Sequence, residues 1–137
     1  MKELIETLHH YRCKGVVELN TGEKIYFYNK GIIDLFRTAI AKKPFLYGSK
    51  LADKVIGKGA ALLIVNVGVK QVYADIISKC AYDFLNSSGV NVQYKHMVEN
   101  ILNRDKTDIC PIEKLTLYIE DPEEAITIIN DFFSNNN

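Results

Sequence analysis

Residues 72–77, Val-Tyr-Ala-Asp-Ile-Ile, constrain the fold of this chain more than any other segment. Asp75 is the one residue that interrupts an otherwise apolar run. A strand with one face in water alternates apolar and polar side chains, whereas a nearly continuous apolar run is typical of a central strand covered on both faces. We therefore expect a β-sheet with helices packed on both of its faces.

The chain before this strand predicts a helix followed by a β-hairpin. Apolar residues recur at helical spacing over residues 2–12, and Gly15 ends that pattern. Two short apolar runs follow, at residues 16–19 and 25–28, and the turn residues Asn20-Thr21-Gly22-Glu23 lie between them. Such a pair of runs is typical of an antiparallel hairpin.

Two more helices are predicted between the hairpin and the central strand. Helical spacing starts again at Ile32, and Pro44 is expected to end that helix. Residues 45–52 are expected to form a loop. Asp53 would then be the N-cap of a helix over residues 53–66.

Strands and helices continue to alternate after the central strand. Ser78 is expected to cap a short helix that stops at Gly89. A strand over residues 90–94 and a helix over residues 97–102 follow. The complete order predicts an α/β fold in three layers, a mixed β-sheet with helices on both faces.

Two further helix starts are marked near the C-terminus. Cys110-Pro111 opens a segment with apolar residues at helical spacing. Asp121 and Pro122 mark the start of another helix, as its N-cap and its first residue. This last helix should end near Phe133, with residues 134–137 frayed.

The length and charge of the chain exclude several classes of protein. The 137 residues fit one domain, so residues 1–137 are treated as a single unit. Seventeen basic side chains balance seventeen acidic ones, and this neutral chain lacks the excess of Lys and Arg on which nucleic-acid binding depends. The longest apolar stretch, residues 60–69, is about half the length that spans a bilayer. We predict neither a nucleic-acid partner nor a membrane partner.

The cysteine content indicates a reducing compartment. Cys13, Cys80 and Cys110 are too few, and odd in number, for the disulfide framework of a small secreted domain. The first residues carry acids and lack the apolar core of a signal peptide. We expect three reduced thiols and a cytoplasmic location.

The order of elements is similar to the cytidine deaminase-like fold. There, a leading helix and a hairpin precede a helix with the motif His-x-Glu, and a strand then leads to a second helix that opens with Pro-Cys-x-x-Cys. The His and the two Cys hold zinc, which activates a water, and the Glu transfers protons. The resemblance aligns the first of these helices with residues 53–66 and the second with the helix that opens at Ser78.

The zinc ligands of that fold are mostly absent from this chain. Gly57-Lys58-Gly59-Ala60-Ala61 stands at the first motif and contains neither His nor Glu. At the second motif Cys80 matches one ligand position, and Asp83 stands where the second Cys would be. None of the three histidines lies at the deaminase position. A catalytic zinc site usually needs three protein ligands, so we predict no metal and no cofactor.

Several short strings resemble a prokaryotic family, domain of unknown function 1893. They are Gly57-Lys58-Gly59-Ala60-Ala61, Val72-Tyr73-Ala74-Asp75, Asn103-Arg104 and Cys110-Pro111-Ile112-Glu113. The resemblance covers residues from about 50 to 133, with a looser match at the front. This family brings no established reaction with it, so the function has to be argued from the residues.

Cys110 and Glu113 are the candidate catalytic residues. Cys110 precedes a proline at a helix start, where backbone N–H groups and the helix dipole stabilise a thiolate. Glu113 lies three residues further on and could orient this N-terminus or act as a base. The structural alternative is that Cys110 is the N-cap and Glu113 its partner in a capping box.

Gly57, Lys58 and Gly59 are candidates for binding an anion. Glycines at a helix start admit a phosphate or carboxylate to backbone N–H groups, and Lys58 adds a positive charge. The alternative is that the glycines let this helix pack tightly on the sheet. Asn103 and Arg104 are further candidates because Arg binds carboxylates and phosphates in a bidentate manner, although a surface pair of Arg104 with Asp105 or Asp108 is the alternative.

These residues suggest a zinc-free, deaminase-like protein that binds a small anionic or nucleotide-like ligand. Its pocket would lie between two facing helix N-termini, at residues 57–61 and 78–80. Its lining would comprise Lys58, Ser78, Cys80, Arg104, Cys110 and Glu113. One alternative is an enzyme that uses Cys110 as a nucleophile or redox thiol, and another is a non-catalytic structural or interaction module. The sequence leaves open whether the protein is an enzyme.

The hairpin also predicts a homodimer. The strand at residues 24–28 places Ile25 and Phe27 on one face and Tyr26 and Tyr28 on the other. Helices should cover only one of these faces near the edge of the sheet. We expect a second copy to bury the remaining tyrosine pair about a two-fold axis.

Overall fold

The computed structural model describes residues 1–135 and builds them around one five-stranded sheet. Helices separate most of the strands along the chain. In chain order the elements are α1 (Lys2–His10), β1 (Gly15–Glu18), β2 (Lys24–Phe27), α2 (Ile33–Leu46), β3 (Lys50–Ile56), α3 (Lys58–Val67), β4 (Gln71–Ser78), α4 (Lys79–Ser87), β5 (Asn91–Val98), α5 (Pro111–Thr116) and α6 (Pro122–Asn135).

The sheet is mixed, and its strands lie in the order β2-β1-β3-β4-β5. β1 is antiparallel to both β2 and β3, whereas β3, β4 and β5 run parallel to one another. The apolar run at residues 72–77 is indeed an inner strand, because β4 pairs with β3 on one side and β5 on the other. The prediction of an α/β fold with a mixed sheet is confirmed at this level.

Helices cover both faces of the sheet at its centre. Val17 of β1 belongs to the main core, which includes residues of α2, α3, α4 and α6. The neighbouring Val16 packs instead with Leu4 and Leu8 of α1. Because adjacent residues of a strand point to opposite faces, α1 lies on the face opposite that main core. No helix among residues 1–135 is long and apolar enough to cross a membrane.

The strand β3 stands where a loop and a helix start were predicted, so that prediction was wrong. Leu51 and Ile56 are fully buried, and the strand pairs with both β1 and β4. These two ladders satisfy the backbone hydrogen-bonding groups of the segment. Its two lysines and one aspartate hide the apolar pattern that would have predicted a strand. Asp53 is therefore a strand residue, and Gly57 is the N-cap of α3.

Pro44 does not end α2, as was predicted, but lies inside its last turn. A proline in a helix removes one N–H and so leaves the carbonyl four residues earlier without its helical donor. That carbonyl belongs to Ile40, which is exposed, so the loss is cheap at this position.

The strand β5 is longer than predicted, and the helix expected over residues 97–102 does not form. Met97 and Val98 pair with Ile77 and Ser78 of β4, which extends the parallel ladder. Strand pairing therefore overrides the short apolar pattern that suggested a helix.

Two predicted helix caps are confirmed. The Ser78 hydroxyl accepts a hydrogen bond from the N–H of Ala81 at 3.4 Å. The Asp121 carboxylate accepts one from the N–H of Glu123 at 3.0 Å. The last helix continues to Asn135 rather than ending at Phe133, and residues 136–137 of the predicted frayed tail lie outside the described residues.

Candidate functional site

A buried carboxylate, Glu113 of α5, lies where two helix N-termini meet. Its Oε1 accepts hydrogen bonds from the backbone N–H of Lys58 at 2.9 Å and from the hydroxyl of Ser78 at 2.6 Å. The Cys80 thiol lies 3.5 Å from the same oxygen, and Oε2 accepts a hydrogen bond from the N–H of Ile101. The starts of α3 and α4 therefore share one acceptor, and the anion between them belongs to the chain itself.

This arrangement changes the role predicted for Glu113. A capping box would direct its carboxylate to the start of its own helix, where Cys110 is the N-cap. The carboxylate instead reaches α3, α4 and the segment after β5. The capping prediction was wrong, and Glu113 fixes the position of α5 against three other parts of the chain.

The Lys58 side chain is buried and already has partners. Its Nζ donates a hydrogen bond to the carbonyl of Leu117 at 3.1 Å and lies 3.7 Å from the Glu120 carboxylate. It also lies over the ring of Phe84, 5.2 Å from the centroid. The prediction that Lys58 lines a ligand pocket was wrong, because the residues after α5 enclose its ammonium group.

Gly57 and Gly59 let α5 approach the start of α3 closely. A Cβ on Gly59 would lie 2.5 Å from Cγ2 of Ile112, and one on Gly57 would lie 3.0 Å from Oε1 of Glu113. The alternative that these glycines allow close packing of the helix is thus supported. The closely packed neighbour is α5 rather than the sheet.

A cavity of about 790 Å³ opens at the carboxyl end of β3. Its wall includes the residues at the starts of α2 and α3, Lys14 before β1, and two parts of the segment from Ile101 to Glu113. This volume is typical of a site for a small molecule. Ligands of open α/β sheets bind outside the carboxyl ends of the strands, and this cavity lies at the carboxyl end of β3.

Basic side chains dominate the charge of this cavity. They are Lys14, Lys30, Lys54, Arg104 and Lys106. Lys54 lies 3.9 Å from Asp75, but the other four make no ion pair within the described part of the chain. The acids of the wall are Asp53, Asp105 and Glu113, and the last is already engaged by its hydrogen-bond donors. The cavity therefore favours a small anion.

Asp53 is a carboxyl group in the cavity wall. Burial raises its pKa to about 7, and the charge of Asp75 adds to this effect, whereas hydrogen bonds from the N–H groups of Val55 and Lys54 oppose it. Its Oδ1 accepts the bond from Val55 at 3.2 Å. A carboxyl that titrates near neutrality inside a cavity is often part of a functional site.

Cys110 is the thiol that the structure brings to the cavity. It is half-buried, and its N–H donates a hydrogen bond to the carbonyl of Ile101 at 2.8 Å. Cys13 and Cys80 lie outside the cavity wall, and burial raises the pKa of both thiols. Ser78 is also outside the wall, so neither Ser78 nor Cys80 lines this cavity as predicted.

The loop after β5 carries Arg104 to the rim of the cavity. Asn103 organises this loop, because its Oδ1 accepts a hydrogen bond from the N–H of Thr107 at 3.1 Å. Asp108 was a predicted alternative partner for Arg104, but it pairs with Lys114. Arg104 is exposed, and it forms no ion pair with a carboxylate of the described residues.

A second cavity, of about 530 Å³, lies between α2 and the end of α3. Its basic side chains are already engaged: Lys43 lies 3.4 Å from Glu123, and Lys70 lies over the ring of Tyr47. This second cavity therefore attracts a small anion less strongly than the cavity beside β3 does.

The described residues contain no group of three or more His, Cys, Asp or Glu side chains that could hold a metal ion. The expected absence of zinc stays a prediction. Metal analysis of the purified protein tests it, and about one zinc per chain would contradict it.

Sequence reasoning missed Asp53, Lys14 and Lys30 as site residues. Lys30-Gly31 just before a helix start was an available signal, since it repeats the pairing of lysine and glycine seen at residues 57–59. Lys14 carried no such signal, because it reaches the cavity only through the antiparallel pairing of β1 with β3, where its carbonyl accepts the N–H of Lys54 at 2.9 Å.

Comparison with known proteins shows the family of the chain and a solved structure that is similar to it. The family model described as TM1506, domain of unknown function (DUF1893), matches residues 4–133. The crystal structure of a DUF1893 family protein from Thermotoga maritima superposes with a TM-score of 0.81 at 26% sequence identity. The match covers 95% of this chain and 87% of that one. No curated protein matches the chain.

Proposed function

The chain belongs to the DUF1893 family, and we propose that it binds a small anionic, nucleotide-like ligand in the cavity beside β3. One observation carries this proposal: Lys14, Lys30, Arg104 and Lys106 surround a single cavity and form no ion pair among the described residues. A cleft in which positive charges outnumber negative ones attracts small anions.

The position of the cavity supports the same function. It adjoins the start of α3, where Gly57, Gly59 and Ala60 line its wall. The N-terminus of a helix carries a positive partial charge, which complements an anionic group. Because the backbone N–H of Lys58 is already bonded to Glu113, the side chains of the rim supply most of the attraction.

We also infer a relationship to the cytidine deaminase-like fold, with a corrected alignment. The helix after the hairpin is α2, and the helix after the next strand is α3. The starts of these two helices, rather than those of α3 and α4, correspond to the two zinc motifs. They read Gly31-Ile32-Ile33-Asp34 and Gly57-Lys58-Gly59-Ala60, without His, Glu or Cys.

Under this alignment, the cavity would correspond to the ligand site of that fold. Gly31 and Ile32 line it from the start of α2, and Gly57, Gly59 and Ala60 line it from the start of α3. Binding of a ligand without zinc is therefore the function that agrees with both the alignment and the charges.

A thermal-shift screen of nucleotides, sugar phosphates and small carboxylates tests the proposal. A ligand at a hundredfold excess over its dissociation constant stabilises a protein by about 2.7 kcal/mol, which raises the melting temperature measurably. The variant Arg104→Ala, Lys30→Ala should lose most of this shift. Lys24→Ala is the matched control, since Lys24 is an exposed lysine outside the cavity wall.

Two results would contradict the proposal. One is a screen in which no phosphate or carboxylate compound raises the melting temperature, and this result would favour the non-catalytic module. The other is a shift that the cavity variant and the control lower equally, because the ligand would then bind elsewhere.

An enzyme that uses Cys110 is the second candidate function. The observation that favours it is the position of this thiol, which lines the same cavity as the basic side chains. Cys110 should then react with iodoacetamide faster than Cys13 or Cys80, and a bound anion should protect it. Equal, slow labelling of all three thiols, measured by mass spectrometry, would return Cys110 to a structural role.

A further inference from the structure

We infer that Asp53 selects the ligand, by holding an N–H group of an anion whose charged end lies against Arg104 and Lys30. This inference rests on the proposed function and deepens it. It names the ligand class as small phosphates that also carry a nitrogen-containing ring, such as nucleoside monophosphates, in preference to plain sugar phosphates.

The first observation is the free hydrogen-bonding capacity of Asp53. Its Oδ1 accepts a hydrogen bond from the N–H of Val55, and the N–H of Lys54 also acts on the carboxyl group, but no side chain of the described residues donates to Oδ2. Gly15 on the neighbouring strand leaves room for this oxygen, because a Cβ there would lie 3.2 Å from it. The carboxyl group is thus held on one side and open on the other, in the wall of the cavity.

The second observation is that the surrounding cations do not neutralise Asp53. Basic groups face the same cavity from the segment before β1, from the segment before α2, from β3 itself and from the loop after β5; they are Lys14, Lys30, Lys54, Arg104 and Lys106. None of them forms an ion pair with Asp53 in the described structure. Three other acids belong to this arrangement: Asp75, whose charge raises the pKa of Asp53, and Asp105 and Glu113, which line the cavity.

The protonation of Asp53 suits a partner that offers nitrogen. Its pKa of about 7 means that both forms are present near neutral pH. The carboxylate accepts a hydrogen bond from an N–H group, and the neutral acid both donates and accepts. A ring with adjacent N–H and acceptor atoms satisfies either form, whereas a phosphate would be repelled by the carboxylate.

The third observation is the apolar part of the wall. Ile32, Val55, Ile101 and Ile112 line the cavity together with the charged groups. An uncharged flat ring is the kind of group that such side chains cover, and small-molecule sites combine apolar walls with a few placed polar groups in this way. A sugar phosphate alone would leave this apolar wall without a matching surface.

Titration calorimetry with two probes tests the inference: cytidine or adenosine 5′-monophosphate, and ribose 5-phosphate. The wild-type protein should bind a nucleoside monophosphate about tenfold more tightly than ribose 5-phosphate, as one charge-assisted hydrogen bond implies. Asp53→Val keeps the strand but removes the bond, so it should erase this preference, and because it also removes a negative charge it should not weaken the binding of ribose 5-phosphate. Asp53→Asn, which retains an acceptor and a donor, should keep part of the preference.

The outcomes separate the two proposals. Equal affinities of the wild-type protein for the two probes would overturn the role of Asp53 and leave anion binding standing. The same holds if Asp53→Val weakens both probes equally. If neither probe binds the wild-type protein, the proposed function fails and the role of Asp53 fails with it.

Discussion

Glu113 receives hydrogen bonds from three separate segments of the chain, and its side chain is almost fully buried. A buried carboxylate is costly unless donors surround it, and here the donors are two backbone N–H groups, the Ser78 hydroxyl and the Cys80 thiol. Removing the carboxylate leaves these donors without a partner as well as ending the link between α5, α3 and α4.

We therefore expect Glu113→Ala to lower the free energy of unfolding by about 3 kcal/mol, the size of effect seen when one partner of a buried charged network is removed. Glu124→Ala is the control, because Glu124 is an exposed acid in the first turn of α6. Urea denaturation measures both changes. A loss no larger than that of the control would contradict the structural role of Glu113.

Asp53 gives a prediction about pH. Its pKa is about 7 in the folded chain against 3.8 as the reference value, so the folded state binds more protons between these two limits. The stability that protonated Asp53 confers is fully present below pH 3.8, and it is lost as the pH rises towards about 7. Asp53→Asn removes the penalty, so it should raise the melting temperature more at pH 8 than at pH 5.

Thermal melts of the wild-type protein and of Asp53→Asn across this range check the sign. Every other titrating group is common to both proteins, so the difference isolates Asp53. A difference that is equal at pH 5 and pH 8, or larger at pH 5, would show that the carboxyl ionises freely in the folded chain.

The sequence predicted the role of a residue best where that role depends on its close neighbours in the chain. Ser78 caps α4 as expected, and Cys110 and Arg104 both lie in the cavity wall, although their binding roles stay predictions. The partners of Glu113 and Lys58 could not be predicted, because they lie between 12 and 59 residues away along the chain. Contacts of that kind are set by packing rather than by spacing.

At the scale of elements, the fit between α5 and α3 depends on Gly59. A Cβ at this position would overlap the side chain of Ile112, at 2.5 Å. Gly59→Ala should therefore destabilise the protein by about 1–3 kcal/mol, the cost of overpacking, less a smaller gain in helix propensity.

Ile112→Ala in the same chain removes the overlapping atoms, so the two changes should not add. We expect the double variant to lose less stability than the sum of the single losses, as urea denaturation measures it. Strict additivity would mean that α3 and α5 do not meet at this point.

The elements themselves show why one strand was missed. β3 contains two lysines and an aspartate within seven residues, which hide its apolar positions. It forms because it pairs with β1 on one side and β4 on the other. The residues of the segment alone do not reveal these partners.

At the scale of the whole molecule, the hairpin edge remains the expected surface for a second copy. β2 is an edge strand, and Tyr28 is 63% exposed. Tyr26 stacks on Tyr28 and also contacts Tyr11, so α1 covers the tyrosine face only in part. An edge strand beside exposed aromatic rings favours pairing with a second copy about a two-fold axis.

Sedimentation at micromolar concentration should therefore give a dimer, and Tyr28→Lys should shift it to monomer. Tyr118→Lys is the matched control, since Tyr118 is 88% exposed and lies far along the chain from the hairpin. A wild-type monomer would refute the prediction. A dimer that persists in Tyr28→Lys but is lost in Met97→Lys would move the interface to the other edge strand, β5.

The central claim is that the cavity beside β3 holds a small anion. Its most direct test is a crystal structure of the protein grown with a nucleoside monophosphate at a concentration well above its measured dissociation constant. We expect the phosphate within hydrogen-bonding distance of Arg104 and Lys30, and the ring near Asp53. A phosphate bound away from these side chains, or a cavity that holds no ligand at saturating concentration, would contradict the account.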